Sequence, residues 1–303
     1  MFKGILINRE IYPGGTYGKK IGNVRVREDS DGIEVLVSNK YLSECIEYIN
    51  QHRITQVAII DWYYKSEDVN FLSECPTVEE ISLDSNYLKD ISGLYHIKNL
   101  KALSLTDSTV LDGKNEIDLR AFSNLERLFL TWSKKIKGLD HLKNLKGLWM
   151  WKYAPKERNL QELNNLEQLE ELVLNQCKIS SLTGIEKLKN LRKLELNYLR
   201  TLNDVGDLKG LNHSLQRLEI EACKNIENLY RIGDLKALEF FILWNCGDIP
   251  SIGFVKELHQ LKHFAFGGTN ILDGDLSPCI EIDYIHFTEK KHYSHKRKDF
   301  INN

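Results

Sequence analysis

The sequence predicts an α/β solenoid: short parallel strands lining a concave face, each returning through 3₁₀ turns or short helices on a convex face. Three observations carry that prediction. A unit reading L-x-x-L-x-L-x-x-(N/C/S) begins at Ile54, Val78, Leu100, Leu125, Leu145, Leu169, Leu191, Leu215, Leu238, Leu261 and Ile282. The starts lie 24, 22, 25, 20, 24, 22, 24, 23, 23 and 21 residues apart, a period that marks a stack of small repeats sharing one continuous core. Within each unit, positions four and six are apolar while five and seven vary, the alternation of a strand buried on one side.

Residues 1–53 do not repeat and are expected to cap the first open face of the stack. Val24, Val26, Ile33, Val35 and Val37 alternate with polar residues around Asp29-Ser30-Asp31-Gly32, which predicts a β-hairpin. Leu42, Cys45, Ile46 and Ile49 follow at the spacing of one amphipathic helix. Pro13-Gly14-Gly15-Thr16-Tyr17-Gly18-Lys19-Lys20 superficially resembles a phosphate loop. Pro13 stands where the first glycine is needed and Lys20 where Ser or Thr is needed, so it reads as a turn.

Residues 54–290 form the solenoid of about 11 units. Its return segments are too short for long helices, so 3₁₀ turns and extended chain are expected there. The ninth-position Asn, Ser or Cys is expected to turn the chain inward and satisfy backbone groups that have left the ladder. The spacings of 25 and 20 around Asp118 to Leu145 imply a local irregularity. The last unit, with Ile282, Ile285 and Phe287, is expected to close the stack as an edge strand guarded by lysines. Residues 291–303 then read as a basic, solvated tail.

Fuller units make the pattern specific. One reads Leu169, Leu172, Leu174, Cys177, Ile179, Leu182, Ile185 and Leu188, and another Val78, Ile81, Leu83, Asn86, Leu88, Ile91, Leu94 and Ile97. These residues resemble the short leucine-rich repeat class of bacterial internalins and of a eukaryotic phosphatase-regulating repeat protein, over about 230 of 303 residues. The resemblance implies the horseshoe fold of that class and is nearly silent about function. It assigns no partner, because the motif is scaffold.

Composition narrows the function class. The net charge of −2 argues neither for a nucleic-acid binder nor for an acidic disordered chain. No run approaches 18 apolar residues, so no membrane-spanning helix is expected. The opening Met1-Phe2-Lys3-Gly4 to Glu10 is too soon charged for a signal peptide, and a cytoplasmic protein is expected. Cys177, Cys223 and Cys246 hold ninth positions, and Cys75 and Cys279 each precede a unit start by three residues. The repeat therefore places them as small core residues, with no disulfide or zinc spacing. Trp62, at a ninth position, is likewise expected in the core. His286, His292 and His295 lack Cys or acidic partners at ligand spacing and read as solvated, so no metal and no cofactor is expected.

The outward positions carry the functional reading. Phe129, Trp132, Trp149 and Trp151 fall on neighbouring strands at positions five, seven and eight, which predicts an exposed aromatic patch. Glu195, Glu219 and Glu221 predict an acidic patch, with Tyr198, Phe240 and Trp244 beside it. No Lys or Arg occupies position five or seven of any unit, and the basic residues are read onto the return segments, which disfavours nucleic acid on the concave face. Exposed aromatics beside charge are the composition of an interface core. These residues point to a non-enzymatic, monomeric binding module taking a protein partner with a basic and apolar surface, one specialisation being an inhibitor or immunity protein. The alternative is glycan or peptide recognition on the tryptophans. An enzyme would need an active site in the first 53 residues, where none is recognisable.

Overall fold

The repeat pattern is realised strand for strand in a computed structural model that describes residues 18–29, 32–110 and 116–300. The chain divides into two compact units, Met1–Leu145 and Lys146–Asn303.

In the first unit, β1 (Lys19–Ile21), β2 (Val24–Asp29) and β3 (Gly32–Leu36) pair antiparallel in sequence order. Val26 faces Val35 across the predicted hairpin, whose turn at 30–31 lies outside the described residues, as does 13–17 of the glycine-rich segment. The helix α1 (Leu42–Gln51) buries Cys45 and Ile49, the same face the spacing predicted. From β3 onward the ladder turns parallel, through β4 (Gln56–Ile60), β5 (Glu80–Asp84) and β6 (Ala102–Leu105), which is followed by a helical turn α2 (Asp107–Val110). The irregular spacing resolves into a small second sheet, where β7 (Ile117–Asp118) pairs parallel with β9 (Ile136–Lys137). Between them runs β8 (Arg127–Thr131), parallel to β6.

The second unit is more regular. Strands β10 (Gly147–Trp151), β11 (Glu171–Asn175), β12 (Lys193–Asn197), β13 (Arg217–Glu221), β14 (Phe240–Ile249), β15 (His263–Ile271) and β16 (Tyr284–Phe287) pair parallel, each position meeting the same position of the next repeat. The one register shift falls between Trp244 and Gly247 of β14. Return segments carry 3₁₀ turns such as Ile185–Lys187, Gly206–Leu211 and Gly253–Glu257, as the short period required. Leucines at positions one, four and six, including Leu172, Leu174, Leu194, Leu196 and Leu218, are fully buried.

Chain reversals after β10 to β15 use a left-handed residue at position eight and, in most of them, a polar side chain at position nine. Position eight is left-handed in Lys152, Gln176, Tyr198, Ala222, Asn245 and Gly268, with φ between 53° and 61°. That twist aims the amide at the next repeat: Gln176 N donates to Asn197 O (2.9 Å), Tyr198 N to Glu221 O (2.8 Å) and Ala222 N to Trp244 O (2.8 Å). At position nine, Cys177, Cys223, Cys246 and Thr269 then bring a small polar side chain under the sheet, while Tyr153 and Leu199 fill the slot in the other two repeats. The Cys223 thiol lies 3.4 Å from Leu196 O, and the Cys246 thiol 3.5 Å from Ile220 O. Thr269 Oγ1 donates to Leu243 O (3.3 Å) and accepts from Cys246 N (3.0 Å). The sequence-based expectation that this slot satisfies stranded backbone groups is met by thiols as well as by a hydroxyl.

Two expectations about packing are corrected. Trp62 is 66% exposed rather than core. A turn follows β4, with both Tyr63 N and Tyr64 N donating to Ile60 O, so Tyr64 takes the inward position instead. Its ring is buried against Phe71 and its hydroxyl donates to Asp68 O at 2.8 Å. The segment after β16 is also not a solvated tail. Buried Tyr293 meets Phe266 and Phe287 edge-on, and buried Phe300 meets Phe287 at 88°. His292 Nε2 lies 2.9 Å from Ile271 O, and the Tyr293 hydroxyl accepts from Ile271 N at 3.2 Å. The last apolar surface is thus covered by this chain's own aromatics.

Two measurements check these devices. A left-handed non-glycine residue costs of the order of 1–3 kcal/mol, and β-branching raises the cost. Ala222→Val should therefore lower urea-unfolding stability by about that amount, while Ala222→Gly stays near neutral because relief of strain offsets added unfolded-state entropy. Equal effects of the two would contradict the backbone account. All six cysteines are buried and unpaired, and burial pushes the thiols of Cys177, Cys223 and Cys279 up to about 12. Iodoacetamide at pH 8 should label none of these three in the folded protein and all of them in urea, as read by mass spectrometry.

Candidate functional site

Positions three, five and seven of every strand project to one side of the sheet, so the face is read as three columns. In the first unit the fifth-position column is closed. Ala58, Ser82, Ser104 and Phe129 are all buried. Arg127, at position three, reaches two strands across to Glu80 Oε1 (2.8 Å) and passes over the small Ala102. The carboxylates at the strand ends are satisfied locally: seventh-position Asp84 Oδ1 accepts from Thr106 Oγ1 at 2.7 Å and from Ser108, and eighth-position Asp107 Oδ1 accepts from Thr131 Oγ1 at 2.5 Å. Phe129, read from the sequence as an exposed contact, is 5% exposed, and Trp132 is half-buried.

In the second unit, Trp149 is 4% exposed and Trp151 half-buried. The cause is Gly147, two residues before Trp149: a β-carbon there would lie 2.4 Å from the ring, so the indole lies flat against glycine backbone. Burying a tryptophan removes about 150–250 Å² from water, of the order of 4–6 kcal/mol at ~25 cal/mol per Å². Trp149 is thus foremost a stabilising residue, and Phe129 and Trp149 present little ring to a partner. The exposed aromatic patch expected from their positions is corrected accordingly.

The acidic group is also not bare. Lys193 Nζ bridges Glu171 (2.5 Å) and Glu195 (2.7 Å), and Arg217 Nε pairs with Glu219 (2.6 Å). Burial lowers the Lys193 pKa, but hydrogen bonds to Glu171 and Glu195 outweigh that and hold it above the ordinary lysine value. The assignment of basic residues to the return segments missed position three, where Arg127, Lys193 and Arg217 share the face with the glutamates. Reading that column through would have found them: Gln56, Glu80, Ala102 and Arg127 in the first unit, then Gly147, Glu171, Lys193, Arg217, Phe240, His263 and Tyr284 in the second.

The same column continues as a stack. The Arg217 guanidinium lies 3.7 Å from the Phe240 ring centroid, Phe240 stacks on His263 at 4.0 Å, and His263 on Tyr284 at 4.4 Å. Register explains it, since Arg217, Phe240, His263 and Tyr284 are direct partners on β13 to β16. Such neighbours contribute roughly 0.2–1 kcal/mol each.

Glu221 differs from its neighbours. Among the described residues it has no cationic partner, and its Oε1 accepts only from the Tyr198 hydroxyl (2.8 Å), a bond that holds the tyrosine pKa up. Glu221 is the direct register partner of Trp244. Trp244 is 36% exposed and Tyr198 43% exposed. The Trp244 ring is pinned over Gly267, where a β-carbon would come within 2.5 Å of it. The predicted residues Tyr198, Glu221 and Trp244 therefore do come together, with Phe240, Glu195 and Glu219 alongside in a ladder already paired within the chain. Among the described residues no group of three or more His, Cys, Asp or Glu could hold a metal ion, and no helix is long and apolar enough to cross a membrane.

The histidine in the stack has a measurable consequence. Burial lowers the His263 pKa, and the charges of Arg217 and His286 add to it. With the folded value below the unfolded value of about 6.5, the unfolded chain binds more protons in that window, so stability is full above pH 6.5 and declines as pH falls through it. His263→Phe keeps the stack and should flatten this decline in urea midpoints measured from pH 7.5 to 5.5. An unchanged slope would remove His263 as the cause.

No family model matches the sequence, and no curated protein matches it. Among solved structures, an internalin (inlF) of Listeria monocytogenes is 17% identical, with 86% of this chain and 83% of that chain covered at a TM-score of 0.60. Internalin C2 of the same species is 20% identical over 72% of this chain and 84% of that one, at a TM-score of 0.45. A leucine-rich repeat protein of Leptospira interrogans is 18% identical over 78% of each chain, at 0.38. With the repeat spacing, the parallel ladder and the 3₁₀ returns, the chain has the leucine-rich repeat fold in its short, internalin-like form.

Proposed function

We propose that the protein is a non-enzymatic binding module that takes a protein partner on the open sheet face of its second unit. The observation that carries this is exposed Tyr198 and Trp244 beside half-buried Glu221, on a face whose other charged groups are already paired. A rigid, repeated sheet presenting a few fixed aromatics is the arrangement in which a small number of residues dominate affinity. Glu171, Glu195, Glu219 and Glu221 outnumber Lys193 and Arg217 there by two charges (4 minus 2), which suits a partner with a basic and apolar surface. Inhibition of a basic enzyme or toxin, in the manner of an immunity protein, is the specialisation this complementarity favours. Six buried, unpaired cysteines support a reducing compartment, in line with a cytoplasmic setting. The alternative, glycan or peptide recognition on the patch of Phe129, Trp132, Trp149 and Trp151, has less support, because Phe129 and Trp149 are buried and Trp132 and Trp151 half-buried.

The test is comparative capture. The wild-type protein and a Tyr198→Ala/Glu221→Gln/Trp244→Ala variant are immobilised, and proteins retained from lysate are quantified at about 0.05 and 0.3 M salt. At least one protein should be retained by the wild type, weakened by salt and lost by the variant. Identical retained sets from the two would move the site off this face.

A further inference from the structure

Resting on that reading, we infer that the partner inserts a single arginine side chain between Glu221 and Trp244. The chain contains the template for this contact. On the same two strands, Glu219 of β13 and Phe240 of β14 hold Arg217, whose guanidinium stacks on the ring at 3.7 Å while Nε bonds the carboxylate at 2.6 Å. Further along the same strands Glu221 and Trp244 again place a carboxylate on β13 near an aromatic on β14, here in direct register, whereas Glu219 and Phe240 stand diagonally because Phe240 pairs with Arg217. Here the described residues supply no cation.

Three features suit the site to a guanidinium brought from outside. The Trp244 ring has one face seated over Gly267 and so is fixed before binding, which reduces the ordering cost. The register shift between Trp244 and Gly247 is of the kind that re-aims a strand's side chains at functional positions. Tyr198 orients Glu221 by donating its hydroxyl, which leaves the carboxylate's remaining acceptor sites for a planar, forked donor. Arginine matches that fork and stacks on an indole face, whereas lysine is a compact, strongly hydrated point charge.

The peptides Ac-Gly-Arg-Gly-NH₂, Ac-Gly-Lys-Gly-NH₂ and Ac-Gly-Gln-Gly-NH₂, with spermidine as a free cation, are titrated into ¹⁵N-labelled protein at low salt, and the Trp244 indole resonance is followed. The arginine peptide should give a saturable shift about tenfold tighter than the lysine peptide, with no response to glutamine. Glu221→Gln should weaken it by about tenfold, and Trp244→Ala, which leaves the Tyr198–Glu221 pair in place, should abolish binding read from the amide resonances of Glu221 and Ala222. An unmoved Trp244 signal, an equal response to glutamine or to spermidine, or indifference to Glu221→Gln would overturn the arginine assignment. Should lysate capture still depend on the triple variant in that case, the protein-binding reading stands without it; loss of both sinks both.

Discussion

The parallel ladder of the second unit holds its register through six successive pairings, and the rest of that unit depends on this. A parallel strand can rejoin the sheet only if the chain leaves it at the same place in every repeat. The left-handed residue at position eight sets that place, and in four of the six repeats a thiol or hydroxyl at position nine secures it by engaging the carbonyl of the preceding repeat. Five of the six left-handed positions hold residues with a β-carbon, so local strain of the order of 1–3 kcal/mol each is sustained by cooperative hydrogen bonding along the stack. The first unit has no such bank: Asp61, Ser85, Asp107 and Trp132, at the equivalent position, are not left-handed. There the reversals use side chains instead, as where Thr109 Oγ1 accepts from Ser85 N and donates to Leu83 O.

Strict register has a second consequence. Side chains of equal position stand about 4.8 Å apart on neighbouring strands, close enough for rings to stack and for ions to pair. A column is therefore one energetic object assembled from distant sequence. Glu171, Lys193, Arg217, Phe240, His263 and Tyr284 span more than a hundred residues of sequence, yet they are successive register partners; Lys193 pairs with Glu171, and Arg217, Phe240, His263 and Tyr284 stack in turn. A residue on this face cannot be interpreted alone.

This explains what the sequence made legible and what it did not. Which residues enter the core follows from period, so the buried leucines, the cysteine slots and the strand positions could all be read directly. Whether an outward residue is exposed depends on what stands beside it. Trp149 is outward by parity, yet Gly147 gives its ring a place to lie down. Trp62 occupies a core slot by counting, yet a turn after Ile60 hands that slot to Tyr64. Lys193 is one lysine among many in the sequence, and its bridging role emerges only with its neighbours Glu171 and Glu195 in view. Tyr293 and Phe300 carry no period because they end the stack rather than continue it.

The pairing of the acidic column changes where affinity can arise. A partner approaching Glu195 or Glu219 must compete with Lys193 or Arg217, and an exchanged ion pair at a half-exposed site gains at most a fraction of a kcal/mol. Those residues keep the face ordered and repel acidic surfaces without rewarding contact. Glu221 carries no such competitor among the described residues, and the Tyr198 hydroxyl that it holds is a neutral donor. Charge that is free to be neutralised, next to an indole whose orientation is already set, concentrates the gain at one end of the face. On the proposed reading specificity follows from geometry: a basic surface would be attracted along the whole column, and only one whose cation reaches the strand ends beside Trp244 would be held.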